Sequence, residues 1–249
     1  MQSLAIAIQT AVVAYLVLGA PVLGKYLYER LKLTRKSDPR ARFRFYRGAF
    51  LMEWLQVGLV GVSILLEPQP LERLGLKQVA GLSPSATLAL GGILLAVLVA
   101  MWLVARYVAP LRVHYERRLA RLEDLIPATP GERVQFGALA ITAGICEEFL
   151  FRGFLLFYVT QLVPGMPAAG LILTSAAVFG MAHAYQGWSG VLATGAMGGV
   201  MAFLYLQWGS LYPLMMLHAF SDLQALAASW GVQEAARGRG VIPRAEEGC

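Results

Sequence analysis

Long apolar runs dominate the hydrophobic pattern of this 249-residue chain. A helix needs about 20 apolar residues to cross the hydrocarbon core of a bilayer. Runs of about this length, separated by short polar or turn segments, occur at 3–24, 48–66, 86–109, 135–162, 167–185, 189–207 and 211–230. The pattern predicts an all-α polytopic transmembrane helix bundle of about seven to eight helices.

Segment 111–126 differs from these runs because apolar residues alternate there with charged ones. Its apolar positions are Leu111, Tyr115, Leu119, Leu122 and Ile126. This spacing predicts an amphipathic helix that lies at the membrane interface. We expect one membrane-embedded domain over the whole chain. It comprises three N-terminal spans (1–110), an interfacial segment (111–134), a core with polar motifs (135–230) and a cytoplasmic tail (231–249).

Composition supports a membrane protein and excludes an ordinary soluble domain. Hydrophobic residues make up 57% of the chain and charged residues 14%, with a mean hydropathy of +0.59. Soluble domains have about 25% charged residues. The net charge of +6 reflects clustered basic residues, nine of them between Lys25 and Arg47. Such clusters are typical of cytoplasmic loops, so we expect no nucleic-acid partner.

The basic residues also predict an orientation. They concentrate in 25–47, in 110–134 and in the tail, whereas 67–85 carries two and the turns near 164 and 209 carry none. With seven spans, the basic segments all fall on one side, which the positive-inside rule makes cytoplasmic. We therefore expect the N-terminus outside and the C-terminus in the cytoplasm. The protein is expected to be a multi-pass protein of a bacterial inner (plasma) membrane.

Three ionisable residues lie close together in the fourth apolar run, namely Glu147, Glu148 and Arg152. Each costs at least about 2.5–3.5 kcal/mol at bilayer depth unless it has a partner. Glu148 and Arg152 are four residues apart and can pair on one helix face. Glu147 then needs another partner or a water-filled cavity.

Further polar groups follow in two later runs, with His183 in one and His218 and Asp222 in another. His218 and Asp222 are one helical turn apart and can face one cavity. A carboxylate near an imidazole can activate water as a general base, and a second imidazole can stabilise an oxyanion. The set suits amide hydrolysis, although a structural polar network between helices remains an alternative.

These residues form three motifs in order, Glu147-Glu148 with Arg152 (EExxxR), Phe179 with His183 (FxxxH) and His218 with Asp222 (HxxxD). The set resembles the CPBP family of CAAX proteases and bacteriocin-processing enzymes, also called the Abi family. The resemblance covers about 130–230. It implies an intramembrane endopeptidase that acts on a membrane-associated protein or peptide.

The resemblance also implies a role for each residue. Glu147 would activate the water, which His183 helps to hold, and His218 with Asp222 would form the oxyanion site. Glu148, Arg152 and Phe179 would support them. Asp222 departs from the Asn of the eukaryotic CAAX endoprotease, and an ionised carboxylate would repel an oxyanion. Asp222 is therefore expected either to be protonated or to orient His218.

Other interpretations stay open at this point. We expect no cofactor, but Glu147, His183 and His218 could bind a catalytic zinc with a fourth place for water. No HExxH motif supports that choice. A non-catalytic immunity or scaffold protein could keep the polar network for packing. A transporter is disfavoured because the motifs occur once, in the C-terminal half.

The remaining candidates have structural interpretations. Glu53 is expected near the cytoplasmic interface, because it lies close to the start of the run 48–66. Gly195 and Gly199 have the small-xxx-small spacing of helix packing within a bundle. Cys146 is expected to pack as a small residue. The expected partners are the lipid bilayer and a protein or peptide substrate, for which prenylated C-termini, leader peptides and transmembrane sorting tails all fit.

Overall fold

The computed structural model describes residues 1–66, 71–79, 81–107 and 122–238. These residues form seven helices and no strand, which confirms the predicted all-α bundle. The helices are α1 (Gln2–Thr34), α2 (Ala41–Leu66), α3 (Pro84–Tyr107), α4 (130–162), α5 (Ala168–Ala182), α6 (Trp188–Trp208) and α7 (Tyr212–Gly238).

Two of these helices contain a π-helical turn, Tyr15–Gly19 in α1 and Phe149–Phe154 in α4. Such turns are rare in proteins, and those that occur often lie at functional sites. The one in α4 includes Arg152, so the polar motif and the distortion coincide. Short 3₁₀ turns, Leu71–Leu74 and Ala184–Gln186, lie between helices.

Among the described helices, α1, α2 and α6 are long and apolar enough to cross a membrane. Helix α5 and the segment Pro84–Val97 of α3 are shorter apolar helices. The predicted number of helices is thus confirmed, while the crossing of the membrane by the other four stays a prediction. Most of the predicted interfacial helix, 111–121, lies outside the described residues, and 122–126 form turns.

Helix α4 begins at Pro130, five residues before the start of the apolar run. Its N-terminus is a capping box, in which Thr129 Oγ1 accepts from the Glu132 amide at 3.2 Å and Glu132 Oε2 accepts from the Thr129 amide at 3.2 Å. Proline suits the first helical position because a backbone amide there has no acceptor within the helix, so the missing N–H of proline costs no hydrogen bond. Polar capping residues therefore extend the helix beyond its hydrophobic stretch.

Segments predicted to share one side of the membrane meet at one end of the bundle. Arg35 pairs with Glu123 at 3.0 Å and also with Asp124. The Tyr46 hydroxyl donates to the Leu125 carbonyl at 2.5 Å. The basic segments 25–47 and 122–134 therefore lie together, as expected of alternate loops.

The opposite end joins two turns that carry few basic residues. The Leu211 amide donates to the Gly75 carbonyl at 2.9 Å, and Ser210 Oγ donates to the Lys77 carbonyl at 2.6 Å. Gly75 has a φ of +80°, and a Cβ there would lie 2.5 Å from the Tyr205 ring. The chain thus alternates between two ends, as the charge pattern predicts.

Glycines permit close approaches between helices beside the polar motifs. A Cβ on Gly180 of α5 would lie 2.7 Å from the Val191 carbonyl of α6. On α6, Cβ atoms at Gly195 and Gly199 would lie 3.1 and 3.5 Å from atoms of Ala176. These contacts confirm that the small-xxx-small pair packs within the bundle.

Helices α4 and α7 approach most tightly at Gly144, where an added Cβ would lie 2.5 Å from the Ala219 amide nitrogen. We expect Gly144→Ala to lower the apparent melting temperature, because overpacking of this kind costs about 1–3 kcal/mol. Gly137→Ala on the same helix is the control. The Cβ added there would meet only side-chain atoms, at 3.9 and 4.0 Å. Because alanine also favours a helix more than glycine does, this variant should not be less stable than wild type. Equal melting temperatures for the two variants would contradict the close approach.

Candidate active site

Glu148 is the central buried group of the polar cluster. Its Oε1 lies 2.8 Å from Arg152 Nη1 and 2.8 Å from His218 Nδ1, so one carboxylate connects α4 to α7. The side chains of Glu148 and Arg152 are both 0% exposed. Arg152 Nη2 also donates to the Gly198 carbonyl of α6 at 3.4 Å. The ion pair expected from the four-residue spacing is therefore present, and it also reaches His218.

Phe179 packs against the charged pair and the histidines. Its ring centroid lies 4.3 Å from the Arg152 guanidinium carbon, within range of a cation–π interaction. The same ring is 4.6 Å from the His183 ring and 6.0 Å from the His218 ring. This buried aromatic side chain thus fixes the spacing between the motifs of α4, α5 and α7.

The Nε2 atom of His218 faces two carboxyl groups. It lies 3.8 Å from Glu147 Oε2 and 3.8 Å from Asp222 Oδ2. Both distances exceed a direct hydrogen bond, and contacts of this length are commonly bridged by water. Glu147 Oε2 is buried and has no hydrogen-bond partner among the described residues. Glu147, His218 and Asp222 therefore surround one small polar space.

His183 lies at the C-terminal end of α5, where its Nδ1 is 2.8 Å from the Phe179 carbonyl. Within the described part of the chain, no ion pair joins it to Glu147. The structure thus pairs Glu147 with His218, whereas the sequence motifs paired it with His183. Next to His183, burial raises the pKa of the Tyr185 phenol above its ordinary value, so this group stays neutral.

Glu53 of α2 acts electrostatically on the same cluster of side chains, and its expected position at the cytoplasmic interface stays a prediction. Two helical turns before Glu53, the Tyr46 ring of α2 packs against Phe136 of α4 with 5.6 Å between the ring centroids, and Glu53 Oε2 is buried. Helix α2 begins at Ala41 rather than at 48, so Glu53 lies about 18 Å along the helix. The cost of a carboxyl in an apolar run, applied to Glu147, would have identified Glu53 as well.

The structure also bears on Cys146 and on the three possible zinc ligands. Cys146 is 0% exposed with a free thiol, which agrees with its interpretation as a packing residue. The described residues contain no group of three or more His, Cys, Asp or Glu side chains that could hold a metal ion. In this arrangement Glu147, His183 and His218 do not form such a group.

The fold and the site together define an integral membrane helix bundle with a buried carboxylate–imidazole site. Residues 129–224 match the model of the family described as Type II CAAX prenyl endopeptidase Rce1-like. This segment begins at the capping residue of α4 and ends two residues after Asp222, so it includes all three motifs. The match confirms the resemblance to CAAX proteases, which are hydrolases. Comparisons with curated proteins and with solved structures gave no match.

Proposed function

We propose that this chain is an intramembrane endopeptidase in which Glu147 activates the water that hydrolyses a peptide bond. The observation that carries the proposal is the position of Glu147 Oε2, buried without a partner and 3.8 Å from His218 Nε2. A network that only joins helices would satisfy its buried polar atoms. This oxygen therefore favours an enzyme over a non-catalytic scaffold.

The state of His218 follows from its partners. Glu148 is a carboxylate that accepts a hydrogen bond from Arg152, so it also accepts the hydrogen bond with His218. The proton of this second hydrogen bond is carried by His218 Nδ1. This bond fixes the imidazole orientation and directs Nε2 towards Glu147 and Asp222. A carboxylate on one ring nitrogen also stabilises the protonated imidazole. His218 can then donate from Nε2 to a developing oxyanion.

The reaction then needs one proton transfer in each direction. Glu147 takes a proton from water, and the hydroxide formed attacks the peptide carbonyl carbon. The carbonyl oxygen becomes an oxyanion, which His218 stabilises. When the carbon–nitrogen bond breaks, Glu147 returns its proton to the leaving amine.

Asp222 acts in this scheme on His218 and not on the substrate. Its Oδ2 lies as far from His218 Nε2 as Glu147 Oε2 does. A carboxylate in this position stabilises the imidazolium, whereas beside an oxyanion it would repel. His183, whose ring centroid lies 4.6 Å from that of Phe179, contributes its second ring nitrogen to holding the water.

The family description makes a prenylated C-terminus the first substrate class to examine. We place the basic end of the bundle in the cytoplasm, with the N-terminus outside, in a bacterial inner membrane. The test uses the full chain in proteoliposomes with a quenched fluorescent peptide that ends in farnesyl-Cys-aliphatic-aliphatic-X. We expect cleavage after the farnesylated cysteine, located by mass spectrometry. Failure to cleave this peptide, a leader peptide and a sorting tail would contradict the proposal.

Chelation distinguishes water activated by Glu147 from a zinc centre. We expect EDTA or 1,10-phenanthroline to leave the cleavage rate within about twofold of the untreated protein, because the described residues form no three-ligand group. Metal analysis of the same sample is the control. A loss of cleavage that zinc restores would contradict the assignment.

A further inference from the structure

Glu53 is a carboxyl that the three motifs do not contain, and it lies on a helix outside the segment 129–224. An ionisable group in an apolar helix needs a function or a partner. Its Oε2 is buried and has no hydrogen-bond partner among the described residues. The groups that act on it electrostatically are Glu147, His218 and Asp222.

The surroundings of Glu53 favour a neutral carboxyl. Two of those three groups are acidic, and the Arg152 guanidinium is already paired with Glu148. Gln56, which is one turn further along α2, is 7% exposed, and its amide donates to the Met52 carbonyl. A neutral carboxyl retains a carbonyl oxygen that accepts a hydrogen bond. It also adds no charge to the carboxylate of Glu147.

We propose that Glu53 is a fourth carboxyl of the active site and that its carbonyl oxygen orients the attacking water against Glu147. A water needs two acceptors if its lone pair is to point at the substrate. Glu147 takes one hydrogen and Glu53 accepts the other, and each supplies a buried oxygen without a protein partner. This assignment rests on the proposed peptidase function and adds α2 to the catalytic helices.

Two substitutions separate this role from packing. We expect Glu53→Leu to lower kcat on the farnesylated peptide by about a hundredfold with KM within about twofold, because the water loses its orientation. Glu53→Gln retains a carbonyl oxygen and should keep kcat within about fivefold of wild type. Ser63→Ala removes a buried hydroxyl from the same helix, and it should keep wild-type kcat. Wild-type kcat in Glu53→Leu, or equal losses in the leucine and glutamine variants, would overturn the proposal.

An infrared measurement tests the same assignment without any substrate. The carbonyl-stretch band of a protonated carboxyl should disappear in Glu53→Gln, shift in Glu147→Gln and remain unchanged in Ser63→Ala. If Glu53→Gln has the same infrared spectrum as wild type, the inference is overturned, even when no peptide substrate is cleaved. If Glu147→Gln is inactive and Glu53→Leu is fully active, this inference fails while the proposed function stands. Full activity of Glu147→Gln would instead contradict the proposed function.

Discussion

Glu147→Gln is expected to reduce cleavage of the farnesylated peptide by about 10²–10⁴-fold, the contribution of a positioned general base. Glutamine has nearly the shape of glutamate and can still hold a water molecule. It cannot accept the proton that makes the water nucleophilic. Because Glu147 Oε2 has no protein partner to lose, the variant should keep the wild-type melting temperature.

The control for this experiment is the neighbouring thiol. Cys146→Ala changes a residue that is 0% exposed and that has no role in the proposed chemistry. Its cleavage rate should stay close to wild type. A strong loss in Cys146→Ala together with an active Glu147→Gln would replace activated water by a cysteine nucleophile.

Glu148→Gln is expected to affect stability as well as activity. The substitution leaves Arg152 as an uncompensated charge in a 0% exposed position, and breaking a buried pair in this way costs about 3–5 kcal/mol. It also removes the carboxylate that holds His218 Nδ1. We therefore expect a lower melting temperature in detergent and a loss of cleavage.

A double variant separates these two effects. In Glu148→Gln with Arg152→Met no buried charge is left unpaired, so much of the lost stability should return. Activity should not return, because His218 still lacks its carboxylate. Melting temperatures and kcat measured on the same preparations would show this. A double variant as active as wild type would contradict the role of Glu148 in orienting His218.

The matched family segment accounts for only part of the site. It contains α4, α5, α6 and the start of α7, including both glutamates of the first motif and both histidines. Helix α2 packs against α4 outside this segment and brings Glu53 to the same place. In the proposed assignment, α2 therefore supplies an active-site residue from outside the matched segment.

Local features of the sequence predicted much of what the structure shows. Seven apolar runs correspond to seven helices in the described residues, since helix formation in a membrane depends on the length of a hydrophobic run. The Glu148–Arg152 pair followed from a four-residue spacing, which a helix converts directly into contact. The placement of the basic segments 25–47 and 122–134 at the same end of the bundle followed from charge alone.

Three-dimensional packing decided the rest. The approach of α4 to α7 at Gly144 brings His218 to Glu148, and no spacing along the chain encodes that contact. Polar residues extend α2 back to Ala41, so Glu53 lies well inside the helix rather than near its start, beyond what hydropathy indicates. The sequence therefore determined which groups the membrane makes costly. Only the tertiary structure decided which of them meet, because contacts between helices depend on packing of side chains distant in the chain.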